Sequence, residues 1–211
     1  MNFLLLGASG SVGRRILAQG RARGHTIRAQ TRDAARLADQ PAGIEVVVAD
    51  PTDVGALRAL VAGQEAVIIS LGAAPGRPTT LFSDVTTKLI AVMEAANVRR
   101  LIAITGVGAG ETRGHGGFWY DRIIYPLFTR PFYEDKDRQE SLIRESTLDW
   151  VQVRPAPFKA TAGAAPFEIF TDVAADTVLR RITRDEVASF VLDQLGNDRY
   201  LRKFAFIGHE S

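Results

Sequence analysis

Met1-Asn-Phe-Leu-Leu-Leu-Gly7-Ala-Ser-Gly10-Ser-Val-Gly13-Arg14 opens the chain and decides the reading of its fold. Phe3 to Leu6 are all apolar, the pattern of a strand buried on both faces of a parallel sheet. Glycines follow at intervals of three, and helical periodicity begins at Val12, Ile16 and Leu17. Strand, glycine turn and helix start are the parts of a dinucleotide-binding βα unit. Gly7 allows the strand to turn sharply, and Gly10 has no Cβ to hold a pyrophosphate away from the main chain. Gly13 lets the helix approach the sheet. The helix N-terminus then offers unpaired N–H groups and a positive dipole end to phosphates. Gly7, Ala8, Ser9, Gly10, Ser11 and Val12 are therefore cofactor-binding candidates, against the alternative of a glycine turn without a ligand.

Working outward, the next strand ends divide the same task. His25 to Thr31 reads as a second strand, followed by Thr31-Arg32-Asp33, with Arg36 one helical turn later. A basic residue at this strand end accommodates the 2′-phosphate of NADP, where an acid would bond the ribose hydroxyls of NAD. Arg32 and Arg36, at i and i+4, could hold one phosphate between them through charge-assisted bonds. Solvated surface arginines are the alternative, and Asp33 could cap the helix or pair with Arg36. Ile44 to Asp50 is a third strand. Pro51 stops its ladder, and Thr52 or Asp53 can cap the helix from Val54 to Ala62. Ala66 to Gly72 is a fourth strand, and the small-residue turn Ser70-Leu71-Gly72 would let backbone pass close to a ribose and pyrophosphate. Successive strand ends carrying glycine, arginine and aspartate fit the edge where open α/β sheets bind ligands.

A long helix from Thr79 to Asn97 leads to a fifth strand, Arg100 to Gly106. Gly106 to Gly117 is glycine-rich and lacks an apolar period, so it reads as a mobile loop with His115 exposed in it. Seven aromatic residues lie between Phe118 and Tyr133. They are either core or the wall of a substrate lid suited to a flat, conjugated ligand. The next helix opens at Tyr133 and carries Lys136. Asp149 to Pro155 is a sixth strand, Phe167 to Phe170 and Thr177 to Arg180 are weakly strand-like, Asp185 to Leu195 is an amphipathic helix, and Lys203 to Gly208 is a last strand.

Composition narrows the class. The chain has 211 residues and 46% hydrophobic content, enough for one sizeable core. No apolar run is long enough for a membrane span, and the start reads as a strand without the charged leader of a signal peptide. The absence of cysteine excludes disulfides and thiolate metal sites, and no metal site is expected. A cytoplasmic protein is the simplest reading. The net charge is only +2, with acids interspersed among the arginines, so nucleic acid is not an expected partner. Only Lys88, Lys136, Lys159 and Lys203 among the 26 basic residues are lysines, which singles out Lys136 in mid-chain.

The GxxGxxG spacing of Gly7 to Gly13 resembles the extended and atypical branches of the short-chain dehydrogenase/reductase superfamily. The later motifs sharpen the likeness: Thr31-Arg32, Ala49-Asp50, Ser70-Leu71-Gly72, Ile104-Thr105-Gly106, Asp135-Lys136, Leu148-Asp-Trp150 with Arg154-Pro155, and Ile182 to Ala188. Together they are similar to the NAD(P)H-binding, NmrA-like, flavin-reductase and biliverdin-IXβ-reductase-like group, over nearly the whole chain. The resemblance implies that Asp50, followed by Pro51, sits by the adenine. It implies that Thr105 occupies the place of the catalytic serine or threonine, bonding a substrate carbonyl or the nicotinamide ribose. The superfamily's Tyr-x-x-x-Lys is shortened here to Tyr133-x-x-Lys136. Lys136 then serves alone, on the ribose or nearby phosphate oxygens, or is an exposed surface lysine. Pro157-Phe158 stands where biliverdin reductases of this type carry a histidine.

The expectation is an α/β, Rossmann-type doubly wound, mainly parallel sheet with helices on both faces, in one domain spanning 1–211. Residues 156–181 are expected to form a small C-terminal appendage on the substrate side. NADP(H) is the expected cofactor, and Thr105 and Lys136 are the catalytic candidates. The expected activity is NADPH-dependent hydride transfer to a flat conjugated acceptor such as a flavin or quinone, by a monomer or weak homodimer. The alternative is an NmrA-like, non-catalytic regulator that senses the NADP redox state.

Overall fold

The computed structural model describes residues 1–39, 43–73, 79–106, 130–161, 166–172 and 179–209, with backbone alone over 130–133. His115 and the aromatic side chains from Phe118 to Tyr133 lie outside the described residues, as do 177–178 of the weak strand-like stretch. The strands are β1 (Asn2–Leu6), β2 (Thr26–Thr31), β3 (Glu45–Val48), β4 (Ala66–Ile69), β5 (Arg100–Ile104), β6 (Asp149–Pro155), β7 (Glu168–Phe170) and β8 (Lys203–Gly208). The helices are α1 (Gly13–Ala22), α2 (Val54–Val61), α3 (Leu81–Ala95), α4 (Arg130–Glu145) and α5 (Arg184–Asp193). A four-residue 3-10 turn, Ala34–Leu37, follows β2.

The sheet runs β3-β2-β1-β4-β5-β6-β8-β7, parallel throughout except for β7, which pairs antiparallel with β8. β1, apolar from Phe3 to Leu6, sits inside the sheet with both of its faces covered. Phe3 and Leu5 join Ile16 and Leu17 of α1 and Val187 and Val191 of α5 in one core. Leu4 and Leu6 join Leu57 of α2, Leu89 of α3 and Ile143 of α4 in the other. This is the doubly wound arrangement that the apolar runs predict.

The direction in which successive strands are added reverses between β1 and β4. From β1 the chain builds outward through β2 to β3, and from β4 it builds the other way. A crevice opens above the strand ends at such a switch point. Register brings the predicted ligand residues to it: Leu6 is level with Gln30 and Ile69, Ile69 with Ala103, and Ile104 with Val153. The glycine turn, Thr31 and Ser70 thus stand side by side, each one residue past that line, with Thr105 two residues past it on β5.

Residues 156–161, 166–172 and 179–181 of the expected appendage lie along the far sheet edge. Ile169 pairs with Ile207, and Phe158 bridges to Ile182. Thr183 then starts α5 with a reciprocal cap: Glu186 N–H donates to its hydroxyl oxygen, and the Glu186 carboxylate accepts from its N–H.

Candidate cofactor and active site

Gly7 adopts φ +79°, and a Cβ there would lie 2.5 Å from the carbonyl oxygen of Ser70. Only glycine meets both conditions. At Gly13 a Cβ would stand 2.4 Å from the Gly7 carbonyl oxygen, so the helix start is pressed onto the turn. Gly10 N–H donates to that same carbonyl at 3.0 Å. The N–H groups of Ser11, Val12 and Gly13 have no backbone acceptor among the described residues. α1 has no acid in its first turn and no side-chain cap. These open donors at a helix start suit an anionic group. Ala8 differs from the other turn residues: it is fully buried and borders neither of the two clefts at the turn, and its N–H donates to the Gln30 carbonyl.

Sequence reasoning missed Gln30. Its buried side chain accepts from Gly7 N–H at 3.0 Å and donates to the Ala49 carbonyl at 2.6 Å. One amide thereby ties the glycine turn to the end of β3. The strand around it, Thr26 to Thr31, is mixed in polarity, so its sequence does not mark Gln30 as buried.

Two clefts flank the turn. The first, of about 370 Å³, is lined by Gly7, Ser9, Thr31, Arg32, Arg36, Asp50 and Pro51, among others. Among the described residues, neither Arg32 nor Arg36 has a carboxylate within ion-pair distance. Arg36 sits in a 3-10 turn, where the i,i+4 spacing of an α-helix does not apply, yet it still borders this cleft with Arg32. Asp33 does not pair with it; its carboxylate caps the turn by accepting from Ala35 N–H at 3.0 Å. Arg14 of α1 holds the turn in place, donating to the Arg36 carbonyl and to Asp39. Asp50 accepts from the Thr52 N–H and hydroxyl, which hold its carboxyl below the usual carboxylate range. Asp53, not Thr52, caps α2, accepting from Ala56 N–H at 2.8 Å.

The second cleft, of about 300 Å³, is lined by Ser11, Val12, Thr105, Lys136 and Phe158 as well as Gly10 and Ser70-Leu71-Gly72. Gly10, Ser70, Leu71 and Gly72 border both clefts, so the two meet across the glycine turn. A Cβ on Gly72 would meet nothing within 4 Å.

Around the second cleft, the structure sets polar groups that the sequence left unconnected. Thr105 donates its hydroxyl proton to Glu140 at 2.6 Å. Glu140 also takes a two-pronged bond from Arg154, at 3.0 and 2.7 Å, with both side chains buried. Bonding a substrate carbonyl requires donation, and the Thr105 proton is already committed. What Thr105 offers is an acceptor, suited to a ribose hydroxyl.

Lys136 is not a surface lysine. It is fully buried, donates to the Ile104 carbonyl at 3.1 Å and Gln139 Oε1 at 3.0 Å, and lies 3.8 Å over the Phe82 ring. Burial lowers its pKa to about 7, opposed by the charges of Glu140 and Asp135. Gln139 passes the chain of bonds to Thr86. Asp135 caps α3 from outside that helix, accepting from Phe82 N–H at 2.8 Å and from the Ser83 hydroxyl at 2.5 Å. Sequence reasoning missed Glu140, Arg154 and Gln139. A run of polar residues on one face of α4 was the sign, but it reads equally as a solvated face. Among the described residues no cluster of metal-binding side chains occurs and no helix is long and apolar enough to cross a membrane.

The sequence profile of a family described as NAD(P)H-binding matches residues 7–198. An uncharacterized protein of Bacillus subtilis, YwnB, is 28% identical over 172 residues, covering 77% of this chain and 75% of that protein. Among solved structures, a short-chain dehydrogenase/reductase of wide type from Veillonella parvula, in complex with NADP, superposes with a TM-score of 0.83. It is 15% identical and covers all of this chain and 95% of its own. A putative NAD-dependent epimerase/dehydratase from Bacillus halodurans has a TM-score of 0.81 at 21% identity, covering all of this chain and 95% of its own. At these identities the solved structures speak for the fold.

Proposed function

The chain belongs to the NAD(P)H-binding family, and from that premise we propose an NADPH-dependent reductase of the atypical short-chain dehydrogenase/reductase kind that passes hydride to a flat conjugated acceptor such as a flavin or quinone. The observation that carries this reading is the continuity of two clefts across one glycine turn, with Arg32 and Arg36 at one end and Thr105 and Lys136 at the other. Arg32 and Arg36 hold the 2′-phosphate, and Asp50 accepts from the adenine. The N–H groups of Ser11, Val12 and Gly13 take the pyrophosphate, with Ser9, Pro51 and Ser70-Leu71-Gly72 closing around the dinucleotide. Thr105 accepts from the nicotinamide ribose, and Lys136 fixes the β5 end by its bond to Ile104. The reduced nicotinamide supplies the hydride.

With its proton held by Glu140, the Thr105 hydroxyl is not a ready acid. A conjugated acceptor suits such a site, because solvent can deliver its proton and the protein chiefly orients the partners. The same committed proton favours a second reading, a redox-sensing regulator that binds NADP without turnover. Mixing the purified protein with NADPH and a panel of flavins and quinones separates the two. Loss of the reduced-nicotinamide absorbance supports the reductase, and tight binding without oxidation across the panel supports the regulator.

A further inference from the structure

Arg184 is the first residue of α5, yet it reaches the glycine turn at the other end of the chain. Its Nε donates to the Ser11 hydroxyl at 3.1 Å, and its guanidinium lies 4.5 Å over the ring of Phe158. Ser11 and Phe158 both line the second cleft. Two nearby arginines, Arg15 of α1 and Arg23 just past its end, pair with carboxylates of α5: Arg15 with Asp185, and Arg23 with Asp193. Among the described residues, Arg184 has no carboxylate within ion-pair distance, and its two terminal nitrogens have no hydrogen-bond partner. The placement is built in from both sides. The Thr183–Glu186 cap fixes where α5 begins, and Gln19 of α1 donates to the Asp185 carbonyl at 2.9 Å. A guanidinium held by a ring and a hydroxyl, with its charge and fork left over, is arranged to receive an anion.

We propose that Arg184 is a cofactor-binding residue that clamps the pyrophosphate at the Ser11 side of the glycine turn, because it brings an unpaired, stacked guanidinium to the rim of that cleft. This rests on the reading that the turn holds the pyrophosphate of NAD(P)H. The clamp acts on a group common to both dinucleotides, so it raises affinity for NADPH and NADH alike. Arg32 and Arg36, in contrast, bear on the phosphate that only NADPH carries.

Equilibrium titrations of NADPH, NADH and adenosine 2′-monophosphate, read by calorimetry, separate these roles. The third ligand carries the 2′-phosphate but no pyrophosphate. Arg184→Gln is expected to weaken NADPH and NADH by about tenfold each, the value of a charge-assisted bond at a partly exposed site. It is expected to leave adenosine 2′-monophosphate and the thermal midpoint unchanged. Arg184→Lys, which keeps the charge and loses the fork, should recover part of the affinity. Arg184→Gln binding both dinucleotides within twofold of wild type would overturn the clamp. So would a parallel loss of adenosine 2′-monophosphate, since that marks a general disturbance of the fold. Wild-type protein that binds none of the three ligands removes the underlying reading, and the clamp with it.

Discussion

Thr105 and Glu140 are joined by a 2.6 Å hydrogen bond in which the threonine donates, so the hydroxyl at the end of β5 enters the cleft as an acceptor. Glu140, 5% exposed, is in turn held by Arg154, 3% exposed. The hydroxyl's role is therefore set two residues away from any ligand.

Glu140→Gln leaves Arg154 buried without a counter-charge. Removing one member of a buried pair costs about 3 kcal/mol or more, whereas removing both charges often costs little. Chemical denaturation should show Glu140→Gln strongly destabilised and Glu140→Gln/Arg154→Met closer to wild type. Equal losses in the single and double variants would deny the coupling.

Arg32→Ala should weaken NADPH by roughly ten- to a hundredfold, from the loss of charge-assisted bonds to one phosphate. NADH should be nearly unaffected. Michaelis constants or titrations with both cofactors make the comparison, and equal effects on the two would remove the phosphate role of Arg32.

Lys136 makes fold stability depend on pH. Its folded pKa of about 7 lies below the ordinary lysine value of 10.5, so between them the unfolded chain binds more protons than the folded one. Stability then rises with pH across that window, and the destabilising contribution is present in full below about 7. A neutral amine still has hydrogens for both Ile104 and Gln139, so neither bond need break as the charge is lost. Thermal midpoints of wild type should rise relative to Lys136→Met from neutral to alkaline pH. Parallel profiles for the two proteins would contradict the buried, near-neutral amine.

Gly13→Ala and Gly72→Ala should fail in different ways. The first forces a Cβ to 2.4 Å from a backbone oxygen, and the second meets nothing within 4 Å. Overpacking of the first kind costs about 1–3 kcal/mol, visible in the denaturation midpoint. Gly72→Ala should keep its stability and lose NADPH affinity, since its methyl group would project where both clefts meet. A destabilised Gly72→Ala would argue against that open space.

Much of the molecule is decided by residues close together in sequence. The apolar run Phe3 to Leu6, the glycines of the following turn and the placing of Arg32, Asp50, Gly72 and Thr105 after successive strands are local features. Backbone sterics and burial on two faces dictate the sheet from them, and a parallel sheet necessarily gathers those strand ends at one edge. Partner choice among polar groups is different in kind. Whether Lys136 faces water or Gln139, whether Thr105 donates to a ligand or to Glu140, and whether Asp33 pairs with Arg36 or caps a turn depend on what packs opposite. Gln30 reaching Gly7 and Arg184 reaching Ser11 span 23 and 173 residues. A buried polar group must find a partner, but sequence spacing does not say which one. The tertiary structure alone made those assignments, because only the packed sheet and helices bring the donors and acceptors within reach.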